Sequence, residues 1–401
     1  MGRLLRGQEV KKKIGLFLSG APSGGGKFQY SLCMLDAISA LPNEEYEIVI
    51  GYTNELWLTY LRNYDLRHFH VSRTYLDRII DKIWRTMRFP PRWIQQLSPQ
   101  IYSPAKTLLK ENRELWIFPS HEALTYQVSI PSLSAMHDLM HRYECRFPEV
   151  SDHNMYKKRE WAYGNICKWA KGLLVDSNVG KQQVVESYQI APEKIHVLPF
   201  IPPKYIYTKN ASDGFEKQYT LPSKFIFYPA QFWEHKNHKG LIEASALLKD
   251  AIPDLHLVFV GSRKDGYQGI HELVEKFKLT RNIHFLGYVP DIDMPEFYRR
   301  TRAMIMPTFF GPTNIPPIEA IALGCPVAVS DIYGAREQLG DAALYFNPLS
   351  SQEIAATIKQ LWEDDHLCAA LSKCGLLRSA QWNQSHFNEQ LRKILKRVIS
   401  E

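Results

Sequence analysis

Short runs of apolar residues alternate along the chain with segments in which apolar positions recur at helical spacing. In the first half, the short runs predict buried strands at Lys13–Ser19, Glu47–Gly51, Leu115–Pro119, Ser132–His137, Gly172–Asp176 and Ile195–Leu198. Helices are predicted between them, one near Lys27–Ala40 and another that begins at a cap on Ser177 or Asn178. A regular alternation of strand and helix is typical of a parallel sheet with helices on both faces.

The same alternation begins again after a proline-rich break at Pro199–Pro203. Further strands are predicted at Phe225–Tyr228, Leu255–Gly261, Asn282–Leu286, Ala303–Met306 and Val327–Ser330, with helices near Lys239–Lys249 and Gly269–Lys278. We interpret the break as an interdomain linker and predict an α/β protein with two doubly wound domains, residues 1–203 and 204–382. The carboxyl ends of their strands would face a deep interdomain cleft, where ligands bind in open α/β folds.

Composition is that of a globular protein without a membrane span. The 401 residues are 45% hydrophobic and 23% charged, which suits two or three domains with substantial cores. No apolar run reaches about 18 residues, and the basic segment Met1–Lys13 lacks the apolar run of a signal peptide, so we expect a cytoplasmic protein. The net charge of +7 suits phosphate-rich ligands, but no recognised module accompanies it, so no nucleic-acid partner is expected.

The segment Phe310–Val327, FGPTNIPPIEAIALGCPV, predicts a helix whose N-terminus faces the cleft. A helix that starts at Pro316-Pro317 and ends before Gly324 would point free N–H groups and its positive dipole end at a diphosphate. Glu319 would fall within the first turn, where its carboxylate can accept two adjacent hydroxyls of a ribose. From this segment alone, a carboxylate that only stabilises the helix end, by about 0.3–1 kcal/mol, is an equal alternative.

This segment resembles the donor-site motif of the family 4 glycosyltransferases, in which two glutamates stand eight positions apart around a glycine-rich turn. The matching residues are Glu319, Ala320, Gly324, Pro326 and Val327. Similar segments occur in the family's order at Ser177–Lys181, Pro192–Pro199, His235–His238, Val258–Gly261, Asn282–Tyr288 and Pro307–Thr308. The resemblance, to a branch of bacterial-polysaccharide and mannosyl transferases, implies the GT-B fold with two Rossmann-like domains. It also implies a retaining transfer without a metal ion, and a C-terminal helix, residues 383–401, that packs back on the N-terminal domain.

The resemblance assigns roles to residues of the donor site. Lys236 would hold the donor diphosphate as a point charge, and Glu319 would bind the ribose. The backbone of Asn314 and Ile315 would approach the sugar or the phosphate. For Lys236, a solvated surface lysine is the alternative.

The glycine-rich loop Gly20–Gln29, GAPSGGGKFQ, lies between the first predicted strand and helix. It resembles a Walker A loop, but the spacing is one residue too long and a phenylalanine replaces the magnesium-binding Ser or Thr, so ATP hydrolysis is not predicted. In the family, this loop lets the backbone approach the donor phosphate and the acceptor. That role is implied for Gly24, Gly25 and Gly26, and a plain flexible turn is the alternative.

A polar pair, His137-Asp138, follows the predicted strand Ser132–His137 at the edge of the cleft. In the family, a histidine at this point contacts the transferred sugar and its developing charge. A catalytic role is therefore implied for His137, together with Lys236 and Glu319, and a purely structural histidine is the alternative. An acceptor-binding role for Asp138 and Arg142 is a further hypothesis.

Two positions depart from the family pattern. The first glutamate of the motif is replaced by Gly311, and the arginine five residues before the lysine is replaced by Gln231. The first change removes a carboxylate that recognises sugar hydroxyls, and the second removes a diphosphate clamp. We expect Thr313, Asn314 and Gln231 to rebuild the donor contacts. The alternative is a catalytically silent scaffold that binds sugar nucleotides.

The tripeptide Asp291-Ile-Asp293 has the form of a metal-binding DxD motif. It opens a predicted helix, Met294–Arg300, so helix capping explains its carboxylates. The six cysteines also lack the spacing of zinc ligands. We therefore expect neither a metal ion nor any cofactor besides the nucleotide-sugar co-substrate.

Residues 73–93 carry six cations against two acids, with four aromatic residues between them. The cations are Arg73, Arg78, Lys82, Arg85, Arg88 and Arg92, and the aromatic residues are Tyr75, Trp84, Phe89 and Trp93. Such a segment can lie on an anionic bilayer, where each cation contributes about 1 kcal/mol. We hypothesise peripheral binding to the inner face of the plasma membrane and a lipid-linked acceptor. A solvated helix with its aromatic residues in the core is the alternative.

The expected reaction is transfer of a hexose to a glycan or a lipid-linked saccharide in cell-surface polysaccharide synthesis. Mannose from a GDP-mannose donor is favoured, with UDP-hexoses as the other donors considered. With Gly311 in place of a carboxylate, same-face substitution is expected, in which the leaving diphosphate helps to deprotonate the acceptor. Besides the silent scaffold, a sugar-nucleotide epimerase of the same fold is an alternative, for which no acid and base carboxylates can be placed.

Overall fold

The computed structural model describes residues 11–20 and 25–401, which form two lobes, each built on a parallel sheet. Gly24 and residues 1–10 of the basic N-terminal segment lie outside the described residues. The first sheet comprises β1 Lys12–Leu18, β2 Tyr46–Tyr52, β3 Arg67–His70, β4 Leu115–Phe118, β5 Ser132–Ala135, β6 Gly172–Val175 and β7 Ile195–Val197. Its strand order is β3-β2-β1-β4-β5-β6-β7, and neighbouring strands run parallel.

The second sheet repeats this winding. It comprises β8 Ile226–Pro229, β9 Leu257–Val260, β10 Ile283–Gly287, β11 Ala303–Met306, β12 Val327–Ser330 and β13 Ala343–Phe346. Its order, β10-β9-β8-β11-β12-β13, reverses direction between β8 and β11, as the first sheet does between β1 and β4. Ligands bind beside such switch points in doubly wound sheets, so each lobe presents one to the other.

Helices connect the strands of both lobes. In the N-terminal lobe they are α1 Gly26–Ser39, α2 Trp57–Leu61, α3 Tyr75–Thr86, α4 Pro91–Ile101, α5 Ser103–Lys110, α6 Leu124–Gln127, α7 Met140–Tyr143, α8 Pro148–Ser151, α9 Met155–Trp169 and α10 Asn178–Tyr188. Those that follow are α11 Phe215–Gln218, α12 His238–Leu248, α13 Tyr267–Lys276, α14 Met294–Arg300, α15 Ile315–Ala322, α16 Ala335–Leu339, α17 Ser351–Glu363, α18 Asp365–Gln381 and α19 Gln384–Ser400. The cap predicted for α10 is Ser177, whose hydroxyl accepts the Gly180 amide at 2.9 Å.

The last helix, α19, completes the core of the N-terminal lobe. Phe387, Leu391 and Leu395 are fully buried, in one apolar cluster with Ile14 and Leu16 of β1. Burying a side chain of this size contributes about 1.5–3 kcal/mol, so the end of the chain stabilises the lobe in which the chain begins.

The region 71–108, for which no strands were predicted, folds as the three helices α3, α4 and α5. Two further strands, β3 and β13, were not predicted from the sequence. Each is an edge strand of its sheet. Within the described part of the chain, no helix combines the length and the apolar character needed to cross a bilayer.

Candidate active site between the lobes

A cleft of about 470 Å³ lies where the strand ends of the two sheets face each other. Its walls are the segments that follow β1, β5, β8 and β11, together with the start of α15. Ten of the residues predicted from the sequence line it: Gly25, Gly26, His137, Asp138, Gln231, Lys236, Thr313, Asn314, Ile315 and Glu319. The fold therefore brings together residues that are far apart in the chain.

Lys236 ends a short 3-10 turn, Glu234–Lys236, that follows β8. Its carbonyl accepts the Tyr228 hydroxyl at 2.8 Å, and its side chain lines the cleft. Burial lowers the pKa of Lys236 to about 8, although the negative charges of Asp138 and Glu149 act in the opposite direction. Among the described residues the ammonium has no hydrogen-bond or ion-pair partner, so it is available to an anionic ligand.

Asn237 holds the backbone next to Lys236. It adopts a left-handed conformation (φ 56°) and caps α12 by accepting the Gly240 amide at 3.1 Å. Its amide group also donates to the carbonyls of Pro307, at 3.1 Å, and Pro348, at 2.9 Å. Because these carbonyls follow β11 and β13, Asn237 ties the turn to the rest of the lobe and positions Lys236.

Glu319 is buried in the wall of the cleft, and two tyrosines hold its carboxylate. Tyr205 donates its hydroxyl to Oε1, and Tyr298 donates to Oε2 at 2.6 Å. Burial raises the pKa of Glu319 to about 7, although both tyrosine hydrogen bonds lower it. The sequence placed Glu319 in the first turn of its helix, and this was wrong, because α15 begins at Ile315 and the glutamate is the fifth residue.

The N-terminus of α15 offers fewer donors than the sequence suggested. The Asn314 amide donates to Gln338 at 3.1 Å, and the Thr313 amide donates to Asp176 at 3.0 Å. Pro316 and Pro317 have no N–H. Within the described part of the chain, Ile315 supplies the remaining amide ahead of the prolines, so the predicted role of the Asn314 N–H is corrected.

Gly311 adopts a conformation that favours glycine, with φ +98°. A Cβ at this position would stand 2.7 Å from the Thr313 carbonyl oxygen and 2.9 Å from Nδ2 of Asn314. The loop is therefore built around the missing side chain, and a glutamate does not fit it as it stands. Gln231 is the second position that departs from the family pattern. Its Oε1 accepts the Trp233 indole N–H at 2.9 Å, which leaves its side-chain NH₂ group as a donor in the cleft.

The N-terminus of α1 lies at the same cleft. Gly25 caps this helix with φ 60°, and its carbonyl accepts the amides of Phe28, at 3.0 Å, and Gln29, at 3.1 Å. A Cβ at Gly26 would stand 3.2 Å from Cδ1 of Ile315. Two helix N-termini, from α1 and α15, thus meet at the cleft, and both favour an anion.

His137 is held as a neutral ring. Its Nε2 donates to the Pro119 carbonyl at 2.7 Å, and burial lowers its pKa to about 4. Its own amide donates to Nε2 of His121 at 3.0 Å. With hydrogen on Nε2, its Nδ1 is an acceptor at neutral pH.

Of the two predicted acceptor residues, Asp138 lines the cleft and Arg142 does not. Oδ1 of Asp138 accepts the Met140 amide at 3.1 Å. The Arg142 guanidinium pairs with Glu160 and lies over the Tyr188 ring, 4.7 Å from its centroid. A carboxylate of the same lobe therefore holds Arg142 outside the cleft, and its acceptor role stays a prediction.

The two carboxylates of the DxD tripeptide have separate partners. Asp291 accepts a hydrogen bond from the side-chain amide of Gln29 at 2.7 Å across the cleft. Asp293 accepts one from the backbone amide of Ser212 at 2.8 Å. Asp293 precedes α14 but its side chain does not cap that helix, so the predicted capping was wrong. Within residues 11–20 and 25–401, no group of three or more His, Cys, Asp or Glu side chains is placed to hold a metal ion.

Carboxylates of the N-terminal lobe hold loops of the other lobe, and the sequence reasoning missed them. Glu149 accepts the Glu234 amide at 2.6 Å and the His235 ring N–H at 3.1 Å, next to Lys236. Asp176 accepts both the amide and the hydroxyl of Thr313. Asp176 follows β6, and a polar residue directly after a buried strand was a usable signal.

The sequence of the chain has recognisable relatives. Residues 213–377 match the family described as "Glycosyl transferases group 1". The chain is 30% identical over 167 residues to O-antigen chain mannosyltransferase B of Escherichia coli, which covers 41% of this chain and 44% of that protein. It is 29% identical over 195 residues to O-antigen chain mannosyltransferase RfbU of Salmonella typhimurium, which covers 48% and 52%. The aligned region thus spans about half the length of these curated relatives.

Solved structures resemble the chain over nearly its full length. HepE of Anabaena, in complex with UDP, has a TM-score of 0.72 at 18% identity and covers 96% of this chain and 99% of its own. Sucrose-phosphate synthase of Thermosynechococcus elongatus has a TM-score of 0.72 at 18% identity and covers 97% and 100%. At this identity the likeness shows the fold, and the predicted GT-B architecture is confirmed.

Proposed function

We propose that this chain, which belongs over residues 213–377 to the group 1 glycosyl transferases, moves a sugar from a nucleotide-sugar donor to an acceptor hydroxyl. The observation that carries the proposal is the ammonium of Lys236, which pairs with no described residue, in one cleft with the N-termini of α1 and α15. Three sources of positive potential around about 470 Å³ suit a diphosphate with its attached sugar and nucleoside.

In the proposed reaction, the acceptor oxygen forms a bond to the anomeric carbon while the bond from that carbon to the diphosphate breaks. The hydroxyl proton passes to an oxygen of the departing diphosphate on the same face, so the configuration is retained. Lys236 and the Ile315 amide stabilise the charge that develops on the diphosphate. The proposed step uses no covalent carboxylate intermediate, because Gly311 replaces the glutamate of the family motif. It needs no metal ion, because Lys236 and the Ile315 amide act on the diphosphate.

Two buried groups would position the donor. Glu319, oriented by Tyr205 and Tyr298, accepts hydrogen bonds from the ribose hydroxyls through its remaining lone pairs. His137 has a pKa of about 4 because it is buried, so it is neutral at pH 7 and accepts a sugar hydroxyl through Nδ1. This replaces the expectation that His137 meets the developing charge, which a neutral ring stabilises only weakly.

The proposed donor is GDP-mannose, from which mannose is transferred. The two O-antigen mannosyltransferases among the relatives support this choice. HepE, which shares the fold, was solved with UDP, so UDP-hexoses are the competing donors. The proposed product is a cell-surface polysaccharide or its precursor, built on a saccharide or a lipid-linked acceptor.

An anionic membrane surface is the proposed location of the N-terminal lobe. Helices α3 and α4 expose a row of large apolar side chains: Leu76, Ile79, Ile83, Met87, Trp93, Leu97 and Ile101. The two acids of this region are buried; Asp77 caps α3 through Thr74, and Asp81 bonds to Gln127 at 2.8 Å. The exposed side chains of this region are therefore mainly apolar or cationic, which suits the headgroup region of an anionic bilayer. Trp84 is buried. This is what the alternative, a solvated helix with its aromatic residues in the core, predicted for the aromatic residues.

A thermal-shift panel of nucleotide sugars tests the binding step. GDP-mannose, UDP-glucose and UDP-N-acetylglucosamine would each be tested against the wild type, Lys236→Ala and Lys239→Ala. A donor at a hundredfold over its Kd contributes about 2.7 kcal/mol to stability, which is easily measured. Lys239 is a matched control, because it is exposed on α12 and pairs with Glu243.

We expect the wild type and Lys239→Ala to be stabilised by the same donor and Lys236→Ala to lose most of the shift. Absence of any shift in the wild type would contradict the proposal. The silent scaffold is favoured by Gly311 and Gln231 alone, and it predicts a shift without release of nucleoside diphosphate.

A further inference from the structure

A second cavity, of about 790 Å³, lies in the N-terminal lobe between α3 and α9. One wall carries Lys82, Arg85 and Arg88, and the facing wall carries Lys157, Lys158 and Arg159. None of the described residues that line it is acidic. We name this space the basic cavity; the proposed donor site does not use it.

Most of its charge is uncompensated. Arg85 pairs with Asp81, and Nη2 of Arg159 donates to the Glu149 carbonyl at 3.4 Å. The other four cations of the two walls form no ion pair with any described residue. A concave surface lined with one sign of charge concentrates its potential, so the basic cavity attracts anions.

The basic cavity adjoins the donor cleft. Lys27, next to the N-terminus of α1, lines both spaces. His121 lines the basic cavity, and its Nε2 accepts the amide of His137, which lines the cleft, at 3.0 Å. The two spaces therefore share a wall at Lys27, and the His137–His121 hydrogen bond joins their linings.

We propose that the basic cavity is the acceptor site and that the acceptor carries a phosphoryl group. This inference rests on the proposed glycosyl transfer. A phosphoryl group brings about two negative charges and three strong acceptor oxygens, which matches two facing walls of cations better than a single carboxylate does. With the phosphoryl group held by Lys157 and Lys158, the free sugar hydroxyl reaches past Lys27 into the cleft.

The test is titration of the full chain, saturated with the nucleoside diphosphate that stabilises it most, so that the donor cleft is filled. One probe is glucose 1-phosphate, with glucose as its uncharged match. The other is a phosphatidylcholine vesicle that carries a polyprenyl phosphate, compared with one that carries the same charge as phosphatidylglycerol, because an anionic bilayer alone is expected to bind α3 and α4. The proteins are the wild type, the double variant Lys157→Glu/Lys158→Glu, and Lys373→Glu as a matched control on the exposed face of α18.

We expect a phosphoryl probe to bind the wild type and Lys373→Glu equally, and the double variant to bind it about tenfold or more weakly, or about 1.4 kcal/mol. Glucose should not bind, and phosphatidylglycerol vesicles should not distinguish the double variant from Lys373→Glu. Binding of glucose 1-phosphate alone assigns a water-soluble acceptor, and binding of polyprenyl phosphate vesicles alone assigns a lipid-linked one. If neither probe binds, or if the double variant binds as tightly as Lys373→Glu, the inference is overturned. If no nucleoside diphosphate binds at the outset, the proposed function fails instead.

Discussion

Thr313 donates both its backbone amide, at 3.0 Å, and its hydroxyl to a single carboxylate oxygen of Asp176 in the opposite lobe. Both residues are buried, and Thr313 stands between Gly311 and the start of α15. The conformation of the donor loop is therefore set by the N-terminal lobe as well as by its own sequence. Burial raises the pKa of Asp176 to about 7, although the bonds from Thr313 lower it.

Replacement of Asp176 by asparagine should change the pH dependence of stability. The native carboxyl keeps its proton up to about pH 7, whereas the unfolded carboxyl loses it near pH 4. Between these values the native state binds more protons, so the free energy of unfolding of the wild type falls as pH rises. Asp176→Asn lacks this contribution, and its stability relative to the wild type should rise between about pH 5 and about pH 7.5. Urea denaturation of both proteins measures the difference; a difference that is constant with pH, or falls, contradicts the raised pKa.

The pH profile of donor use should report Lys236. Burial lowers its pKa to about 8, so the free enzyme loses the ammonium above that pH. We expect kcat/KM for the donor to fall above pH 8, while kcat falls only at higher pH because bound diphosphate favours the charged form. Lys236→Arg should move the fall in kcat/KM to higher pH. An identical fall in Lys236→Arg would assign the ionisation to another group.

Gly311→Ala should be more damaging than Gly214→Ala. Both glycines have positive φ, +98° and +88°, so both substitutions carry backbone strain. Only at Gly311 does the new Cβ meet a neighbour, the Thr313 oxygen at 2.7 Å, whereas Gly214 has nothing within 4 Å. We expect the free energy of unfolding to fall by at least about 1 kcal/mol more for Gly311→Ala, and its KM for the donor to rise. Equal losses in urea denaturation would show that the loop relaxes without cost.

Binding to anionic vesicles should depend on the apolar face of α3 and α4. Leu76 is 67% exposed and Leu97 is 44% exposed, and Leu247 on α12 of the other lobe, 56% exposed, is a matched control. Leu76→Ser/Leu97→Ser should reduce co-sedimentation with phosphatidylglycerol vesicles several-fold, because each loses apolar area that the bilayer covers. Leu247→Ser should leave it unchanged. Co-sedimentation that is equal for all three proteins, or independent of anionic lipid, would remove the membrane from the account.

Much of the fold could be predicted from the sequence because its central strands are continuous apolar runs. Lys13–Ser19 and Ala303–Met306 were each recognised within one residue of β1 and β11. The edge strand β3, Arg67–His70, escaped because its side chains are largely exposed and polar, so no apolar run marks it. Isolated edges lack the burial that makes a strand visible in a sequence.

The site could be predicted as a set of residues but not as a network. Lys236 and Glu319 were found through a resemblance that runs the length of the chain, and both line the cleft. The partners of Glu319 could not be predicted. Tyr205, for example, lies just after the proline-rich break, in a segment without a recognisable motif. The backbone N–H of Asn314 donates to Oε1 of Gln338, 24 residues later, and the periodicity of apolar residues does not predict such contacts.

Release of nucleoside diphosphate from a nucleotide sugar tests the central claim most directly. The wild type, Lys236→Ala and Lys239→Ala would be incubated with each donor, in the presence and absence of acceptor, and the released diphosphate measured over time. The account predicts that the wild type and Lys239→Ala release the diphosphate at rates within about twofold of each other. Lys236→Ala should release it at least about a hundredfold more slowly, as expected for the loss of one charge-stabilising group. Release by Lys236→Ala at a near-normal rate, or no release from a donor that the wild type binds, would contradict it.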